Sequence, residues 1–250
     1  MTILLVNDDG YTREGIVCLE EALAGKGHEV WVVSPSSNRS AQSHAMCLSG
    51  PVIMTRYAEN HYHCSGTPVD CILYSIKGRL FKRTPDLVIS GINHGYNCSS
   101  DILYSGTCSA ASEAVLQGIP ALAVSHQADE DGSYDFPSVA RFVAENLDRL
   151  CSLAGSMSFV NLNFPPHFTN KVETADLGLL FYGDYPEVVS DDGTRLQLEL
   201  REGEVSRSLT RTGDKTDIEV CQEGLIALSV VLVNPAVDHK AHERAKALFS

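Results

Sequence analysis

The stretch Met1-Thr-Ile-Leu-Leu-Val-Asn-Asp-Asp-Gly10 decides the fold. Four apolar residues at 3–6 run directly into Asn7, Asp8, Asp9 and Gly10. A short apolar run without polar alternation is the pattern of a parallel strand buried on both faces. The polar residues and glycine mark its end in a tight turn. That turn puts two adjacent carboxylates at the carboxyl end of the strand, the edge at which open α/β sheets bind ligands. Adjacent carboxylates repel, so near a sheet they need a cation or a set of donors. Asn-Asp-Asp-Gly is equally good chemistry for a plain acidic turn. On these ten residues alone the two readings weigh the same.

Residues 15–24 place Ile16, Leu19 and Leu23 on one helical face, and Gly25 and Gly27 close the segment. Residues 29–33 then read as a strand. The unit is β-α-β, with a right-handed crossover expected. It lacks Gly-x-Gly-x-x-Gly, because Asp8, Asp9 and Gly10 occupy the turn, so an ordinary dinucleotide site is not expected. Residues 36–50 form a polar loop without periodicity, and loops this long are often functional. Short strands are expected at 52–55 and 62–64. Thr67-Pro68-Val69-Asp70 opens a helix to about residue 76, with Thr67 as its cap.

Residues 86–90 are another buried strand, followed by a glycine-rich loop at 91–97. Ser105-Gly106-Thr107 precedes a small-residue helix over 108–117. A strand at 121–125, an amphipathic helix over 138–153 and a strand at 159–163 follow. The pattern changes after 172. Leu196, Leu198 and Leu200 alternate with polar residues, Gly203 makes a turn, and 205–210 alternate weakly, which predicts a β-hairpin. Late strands are expected at 218–220 and 225–233, and a short helix in the tail from His239. The fold class is α/β: a Rossmann-like, mostly parallel sheet flanked by helices, with a C-terminal β-hairpin arm. Residues 1–171 form the core that carries the site. Residues 172–250 form the arm, the last strands and the tail of the same domain.

The 250 residues are 44% hydrophobic and 20% charged, as in an ordinary globular chain large enough for a sizeable core. The net charge of −13 argues against binding a nucleic-acid duplex through its backbone. It does not exclude small phosphorylated ligands, since a metal supplies positive charge locally. The four-residue apolar run meets Asp8 at once, unlike a signal peptide, and no run approaches the ~20 apolar residues of a membrane span. Eight scattered cysteines form no Cys-x-x-Cys pair and fit reduced thiols. A cytoplasmic protein with no membrane partner is expected.

Several polar clusters follow predicted strands: Asp8 and Asp9; Asn38, Arg39 and Ser40; Asn93 and Asn97; and Ser105, Gly106 and Thr107. In a parallel sheet these loops open on one edge. Carboxylates, a hydroxyl and a carboxamide are hard oxygen donors, suited to Mg²⁺, Mn²⁺ or Ca²⁺. Ser105-Gly106-Thr107 at a helix start offers hydroxyls and free N–H groups to an anion. Cation and anion cradle together are the equipment of phosphate-ester chemistry. Each residue also has a plain structural use. Ser40 can satisfy a loop backbone, Asn93 and Asn97 can sit in left-handed turns, and Thr107 can cap a helix. The convergence with Asp8 and Asp9 favours a site. His44 and His94 lie in its loops and could do acid–base work. His61 and His63 share a strand face with no second ligand cluster, which fits a surface strand better than a zinc site.

Together these blocks resemble the SurE family, the survival protein E type of 5′/3′-nucleotidase. The resemblance lies in ILLVNDDG at 3–10, SPSSNRSAQS at 34–43, GTPVDC at 66–71, PDLVISGINHGYN at 85–97 and YSGTCSAASEA at 104–114, with a weaker match in TDIEVCQEG at 216–224. It implies a divalent-metal-dependent phosphomonoesterase acting on nucleoside 5′-monophosphates and also 3′-monophosphates. The implied ligands of one cation per subunit are Asp8, Asp9, Ser40 and Asn93, with Mg²⁺ or Mn²⁺ bound in use. Asn97, Ser105, Gly106 and Thr107 would line the phosphate, and Asn38 and His44 are candidate substrate contacts. Asp8 and Asp9 are the candidate catalytic residues; nucleophile, base and pure ligand remain open for each. The resemblance also implies homodimers or homotetramers through the C-terminal arm. Departures occur at 11–14, at 41–44, at Cys108 and at 225–233, and none removes an implied ligand. The rival reading is a non-catalytic nucleotide-binding regulator on the same fold.

Overall fold

A computed structural model describes residues 1–208 and 214–235, together with 242, 244–246 and 248. The chain runs β1 (Thr2–Val6), α1 (Glu14–Gly25), β2 (Glu29–Pro35), β3 (Met54–Ala58), β4 (His61–Cys64), α2 (Pro68–Lys77) and β5 (Leu87–His94). A 3-10 turn (Ser99–Leu103) leads to α3 (Gly106–Leu116), β6 (Ala121–His126), α4 (Phe136–Glu145), α5 (Leu147–Leu153) and β7 (Ser158–Phe164). Then come β8 (Val172–Thr174), β9 (Leu179–Tyr182), β10 (Tyr185–Asp191), β11 (Leu196–Arg201), β12 (Val205–Ser208), α6 (Asp217–Gln222) and β13 (Ile226–Leu232).

Ile3, Leu4, Leu5 and Val6 are all 0% exposed, because successive side chains of β1 enter two different cores. Ile3 and Leu5 pack with Ile16, Leu19 and Leu23 of α1 and with Val139 and Val143 of α4. Leu4 and Val6 pack with Ile72 of α2 and with Ala110, Ala111 and Ala114 of α3. The alanines let α3 approach the sheet closely. Among the described residues, one sheet runs in the order β3-β4-β2-β1-β5-β6-β7-β13-β8. The β2–β1, β1–β5, β5–β6 and β6–β7 pairs are parallel, and β3–β4 and β7–β13 are antiparallel. The architecture is therefore α/β, with a mostly parallel sheet between helices. The chain leaves β1 for β2 on one side and returns with β5 on the other. The carboxyl ends of β1 and β5 thus border a topological switch point, where such sheets bind ligands.

Several local expectations change. The strand expected at 86–90 continues to His94, through a register shift against β6 between Ser90 and Asn93. The bulge keeps the backbone paired past the glycine. The long helix over 138–153 is two helices that meet at Asn146, whose Nδ2 donates to the Phe142 carbonyl at 2.9 Å. The strand expected at 218–220 is helix α6. Thr216 and Glu219 form a reciprocal capping box there, which outweighs three residues of weak alternation.

The hairpin arm exists, but its turn is not at Gly203. β10 pairs with β11 and β9 with β12, so the chain reverses at 192–195, where Asp192 Oδ1 accepts from the Thr194 and Arg195 N–H groups. Residues 209–210 of the expected strand lie outside the described residues. So does most of the tail from His239, whose described positions 242, 244–246 and 248 are helical. No helix among the described residues is long and apolar enough to cross a membrane.

α1 seats on β5 through Gly15, where an added Cβ would stand 2.3 Å from the Ile92 carbonyl oxygen. That oxygen is backbone and cannot rotate away. Gly15→Ala should cost about 2–3 kcal/mol. The melting temperature should fall by roughly 4–10 °C. An unchanged melting curve would mean that α1 is not held this close.

Candidate active site

The turn after β1 is built by Asn7. Its Nδ2 donates to the Gly10 carbonyl at 2.9 Å, and its Oδ1 accepts from the Gly10 N–H at 3.1 Å. Asn7 is fully buried, so the Asn of Asn-Asp-Asp-Gly does the work of the turn. Asp8 and Asp9 are then carried at the sheet edge, 4% and 8% exposed. Their side chains diverge. Asp8 Oδ1 accepts from the Thr107 hydroxyl at 2.7 Å, toward the start of α3. Asp9 Oδ2 accepts from His94 Nδ1 at 2.9 Å and from the His94 N–H at 3.3 Å, toward the end of β5. Burial raises the Asp8 pKa above the ordinary aspartate value; the Thr107 hydrogen bond opposes this, and the neighbouring Asp9 charge adds to it.

The other predicted residues arrive from three loops. The Arg39 N–H donates to the Asp8 carbonyl at 2.7 Å, which lays the loop carrying Asn38 and Ser40 over the end of β1. Asn38 Oδ1 accepts from the Ser40 N–H at 2.7 Å, and the Ser40 hydroxyl has no partner among the described residues. Asn38 therefore shapes the loop that presents Ser40. Asn93 sits beside His94 on β5, and its Nδ2 donates to the Gly95 carbonyl at 3.0 Å. Asn93 Oδ1 accepts no hydrogen bond among the described residues.

Ser105 caps α3 by accepting from the Cys108 N–H at 3.0 Å. The first turn of that helix leaves the Gly106 and Thr107 N–H groups without intrahelical partners. Both the hydroxyl and the N–H of Thr107 are directed at Asp8, which leaves the Gly106 N–H as the one open to an anion. Gly106 has no room for a side chain, since an added Cβ would lie 2.8 Å from both Asp8 Cβ and Asp8 Oδ2. Asn97 is buried and held on three sides. Its Nδ2 donates to Ser125 Oγ, its N–H to Asn163 Oδ1, and its carbonyl accepts from Asn161 and Asn163. His44 turns elsewhere. Its Nε2 lies 2.9 Å from Glu113 Oε2, about 10 Å along α3 from the helix start at 1.5 Å per residue.

The residues present fit a hard divalent cation. Two buried adjacent carboxylates have no lysine or arginine partner among the described residues, and Asp9 takes both of its hydrogen bonds on Oδ2. Asn93 Oδ1 and Ser40 Oγ add neutral oxygen donors. No three His, Cys, Asp or Glu side chains converge among the described residues, so the set is unlike a histidine- and cysteine-rich zinc site. His61 and His63 form no such site. His61 meets Glu20 at 2.7 Å, and His63 stacks on Tyr11. All eight cysteines are free thiols.

Three supporting contacts are not legible as a site in the sequence. His94 stands beside Asn93 in the sequence, but its hold on Asp9 spans 85 residues. Asn161 and Asn163 lie inside a buried strand, where a period-two pair of asparagines in an apolar run is the only signal. Asp217 accepts from both the N–H and the hydroxyl of Ser99 at 2.6 Å, fastening the loop ahead of Ser105 to the cap of α6.

The chain is similar to known proteins along most of its length. Residues 3–182 match the family model described as Survival protein SurE. The chain is 43% identical over 169 residues to a protein named 5′-nucleotidase SurE from Desulfitobacterium hafniense, a match covering 66% of this chain and 65% of that protein. It is 36% identical over 232 residues to one of the same name from Syntrophotalea carbinolica, covering 92% and 90%. The crystal structure of the SurE protein from Aquifex aeolicus superposes with a TM-score of 0.79 over 100% of both chains, at 27% identity. With the matched residues running from β1 through β9, the chain belongs to the SurE family.

Proposed function

We propose that this chain is a divalent-cation-dependent phosphomonoesterase that releases phosphate from nucleoside 5′-monophosphates, and from 3′-monophosphates as well. One observation carries the reading: a buried carboxylate pair without a lysine or arginine partner among the described residues lies against the N-terminus of α3, in contact through Thr107 and Asp8. The relatives named 5′-nucleotidase SurE support the substrate class.

Asp8, Asp9, Ser40 and Asn93 would hold the cation, Mg²⁺ or Mn²⁺ by the hardness of the set, with Ca²⁺ as a structural stand-in. When bound, it supplies charge neutralisation for the phosphoryl group and a more acidic water. The chain's own residues do the rest. The Gly106 N–H and the Ser105 hydroxyl would receive phosphate oxygens, with Thr107 holding Asp8 beside them, and the dipole of α3 favours their negative charge. Asn97, immobilised by Asn161, Asn163 and Ser125, offers its second amide hydrogen. Thr107 holds Asp8, and His94 holds Asp9, so neither carboxylate swings when charge develops. Of the two, Asp8 is the more deeply buried and the nearer to the phosphate cradle, which favours it over Asp9 for a direct catalytic role.

The test is phosphate release from a panel of nucleoside 5′- and 3′-monophosphates, with the protein as purified, after chelation, and after re-addition of Mg²⁺ or Mn²⁺. Metal-restored release is expected. Nucleotide binding without release would instead identify a non-catalytic nucleotide binder.

The arm fits self-association. Leu196, Leu198 and Leu200 are 56%, 51% and 70% exposed, and Phe181 is 54% exposed, which is more apolar surface than a lone hairpin keeps in water. A homodimer or homotetramer through the arm is the proposed assembly. Eight free cysteines fit a reducing compartment such as the cytoplasm.

A further inference from the structure

Among the described residues the Asp9 carboxylate is held by a single residue, and that residue is itself clamped. His94 gives Asp9 Oδ2 both its ring Nδ1, at 2.9 Å, and its own N–H, at 3.3 Å. A carboxylate oxygen only accepts here, so Nδ1 carries the proton. The other Asp9 oxygen is left without a partner among the described residues. The imidazole meets Tyr134 edge-on, with centroids 4.9 Å apart at 71°, and Phe136 likewise, at 4.8 Å and 67°. Tyr134 and Phe136 are stacked on each other at 4.9 Å with planes only 5° apart, so they present one rigid wall.

That wall is anchored in turn. His126 lies at the end of β6, with its ring 5.9 Å from both Tyr134 and Phe136. Its Nδ1 bonds the Phe164 carbonyl at 3.1 Å, and its Nε2 accepts from the Asp135 N–H at 3.1 Å. Asp135 sits between the two wall residues and caps α4. A carbonyl on one side and an N–H donor on the other fix the ring of His126 in the Nδ1-protonated form. The result is a chain of fixed contacts from the buried end of β6, through Asp135 and the Tyr134–Phe136 wall, to His94 and then Asp9.

We propose that His94 is the positioning residue of Asp9. It binds one carboxylate oxygen and aims the other at the cation, and the Tyr134–Phe136 wall keeps the imidazole from turning away. This rests on the proposed function above. Partners that orient a metal-binding carboxylate typically change metal affinity or activity by 10- to 100-fold when removed. The role belongs to the N–H donor and not to the ring as filler, and that makes it testable.

His94→Phe keeps an aromatic ring against the wall and loses the donor. His94→Asn loses the ring and keeps an amide N–H where Nδ1 stands. Calorimetric Mn²⁺ binding and steady-state phosphate release would be measured on both, with circular dichroism to confirm folding. The expected result for His94→Phe is Mn²⁺ affinity and kcat each lower by about 10- to 100-fold, with KM little changed. His94→Asn should recover most of both. If His94→Phe does not fold, His94→Leu replaces it in the comparison. Near-normal binding and turnover in the donor-free variant would overturn the proposal, as would a His94→Asn protein as impaired as His94→Phe. A wild-type protein that neither binds Mn²⁺ nor releases phosphate would overturn the proposed function itself, and this inference with it.

Discussion

Phosphate release should fall by about 10²–10³-fold in Asp9→Asn, with the fold intact. Asparagine matches aspartate in shape, and its Oδ1 still accepts from the His94 ring and N–H, so the end of β5 keeps its contact. The loss is one of two negative charges that share a buried turn without a lysine or arginine among the described residues to balance them. Removing that charge also removes repulsion from Asp8, whose pKa the Asp9 charge helps to raise. The melting temperature should therefore hold or rise slightly while activity falls. Paired measurements of phosphate release and thermal unfolding check this. Near-normal turnover would sink the assignment of Asp9, whereas loss of activity together with unfolding would point to a structural role.

The second large effect is expected at Gly106, where an added Cβ would come within 2.8 Å of Asp8 Cβ and Oδ2 and 3.2 Å of Cγ. Asp8 is tied to Thr107 at 2.7 Å, one residue on, so it cannot retreat without breaking that bond. Gly106→Ala must push the carboxylate out of place, push the first turn of α3 away, or both. Displacement of a reacting group by ~1 Å costs on the order of 10²-fold in rate. The backbone itself tolerates alanine, since Gly106 is helical and alanine is the better helix former. The expected outcome is a folded protein with about a hundredfold lower kcat. Wild-type turnover in Gly106→Ala would mean that the helix start and Asp8 are not in contact during the reaction.

The sequence was most informative where one residue type served one local purpose. The uninterrupted run 3–6 marks a strand buried on both faces, and Thr67 marks a helix start by its capping chemistry, whereas the cap of α3 is Ser105 and not Thr107. Asp8 and Asp9 were legible as a site only jointly with clusters after other strands, because their meaning depends on the order of strands in the sheet. That order puts β5 beside β1 and brings Asn93 and His94 to Asp9. Contacts across long separations were hidden: the hold of His94 on Asp9, of Thr107 on Asp8 and of Asp217 on Ser99. Each of those residues has an ordinary local use that the sequence shows first. Residues 218–220 are helix and not strand because capping at Thr216 outweighs alternation. The arm was misread in its turn because Gly203 is more conspicuous than the Asp192 side chain that closes the actual reversal.

The central claim is that one hard cation sits between Asp8 and Asp9 at the carboxyl ends of β1 and β5. A crystal of the wild-type protein soaked in Mn²⁺, with anomalous difference density collected at the manganese edge, tests it directly. The account predicts one strong peak per chain, about 2.0–2.3 Å from a carboxylate oxygen of each aspartate, with Asn93 Oδ1 and Ser40 Oγ also facing it. A protein that releases phosphate in a Mn²⁺-dependent manner but shows its peak elsewhere, with Asp8 and Asp9 unliganded, would contradict it.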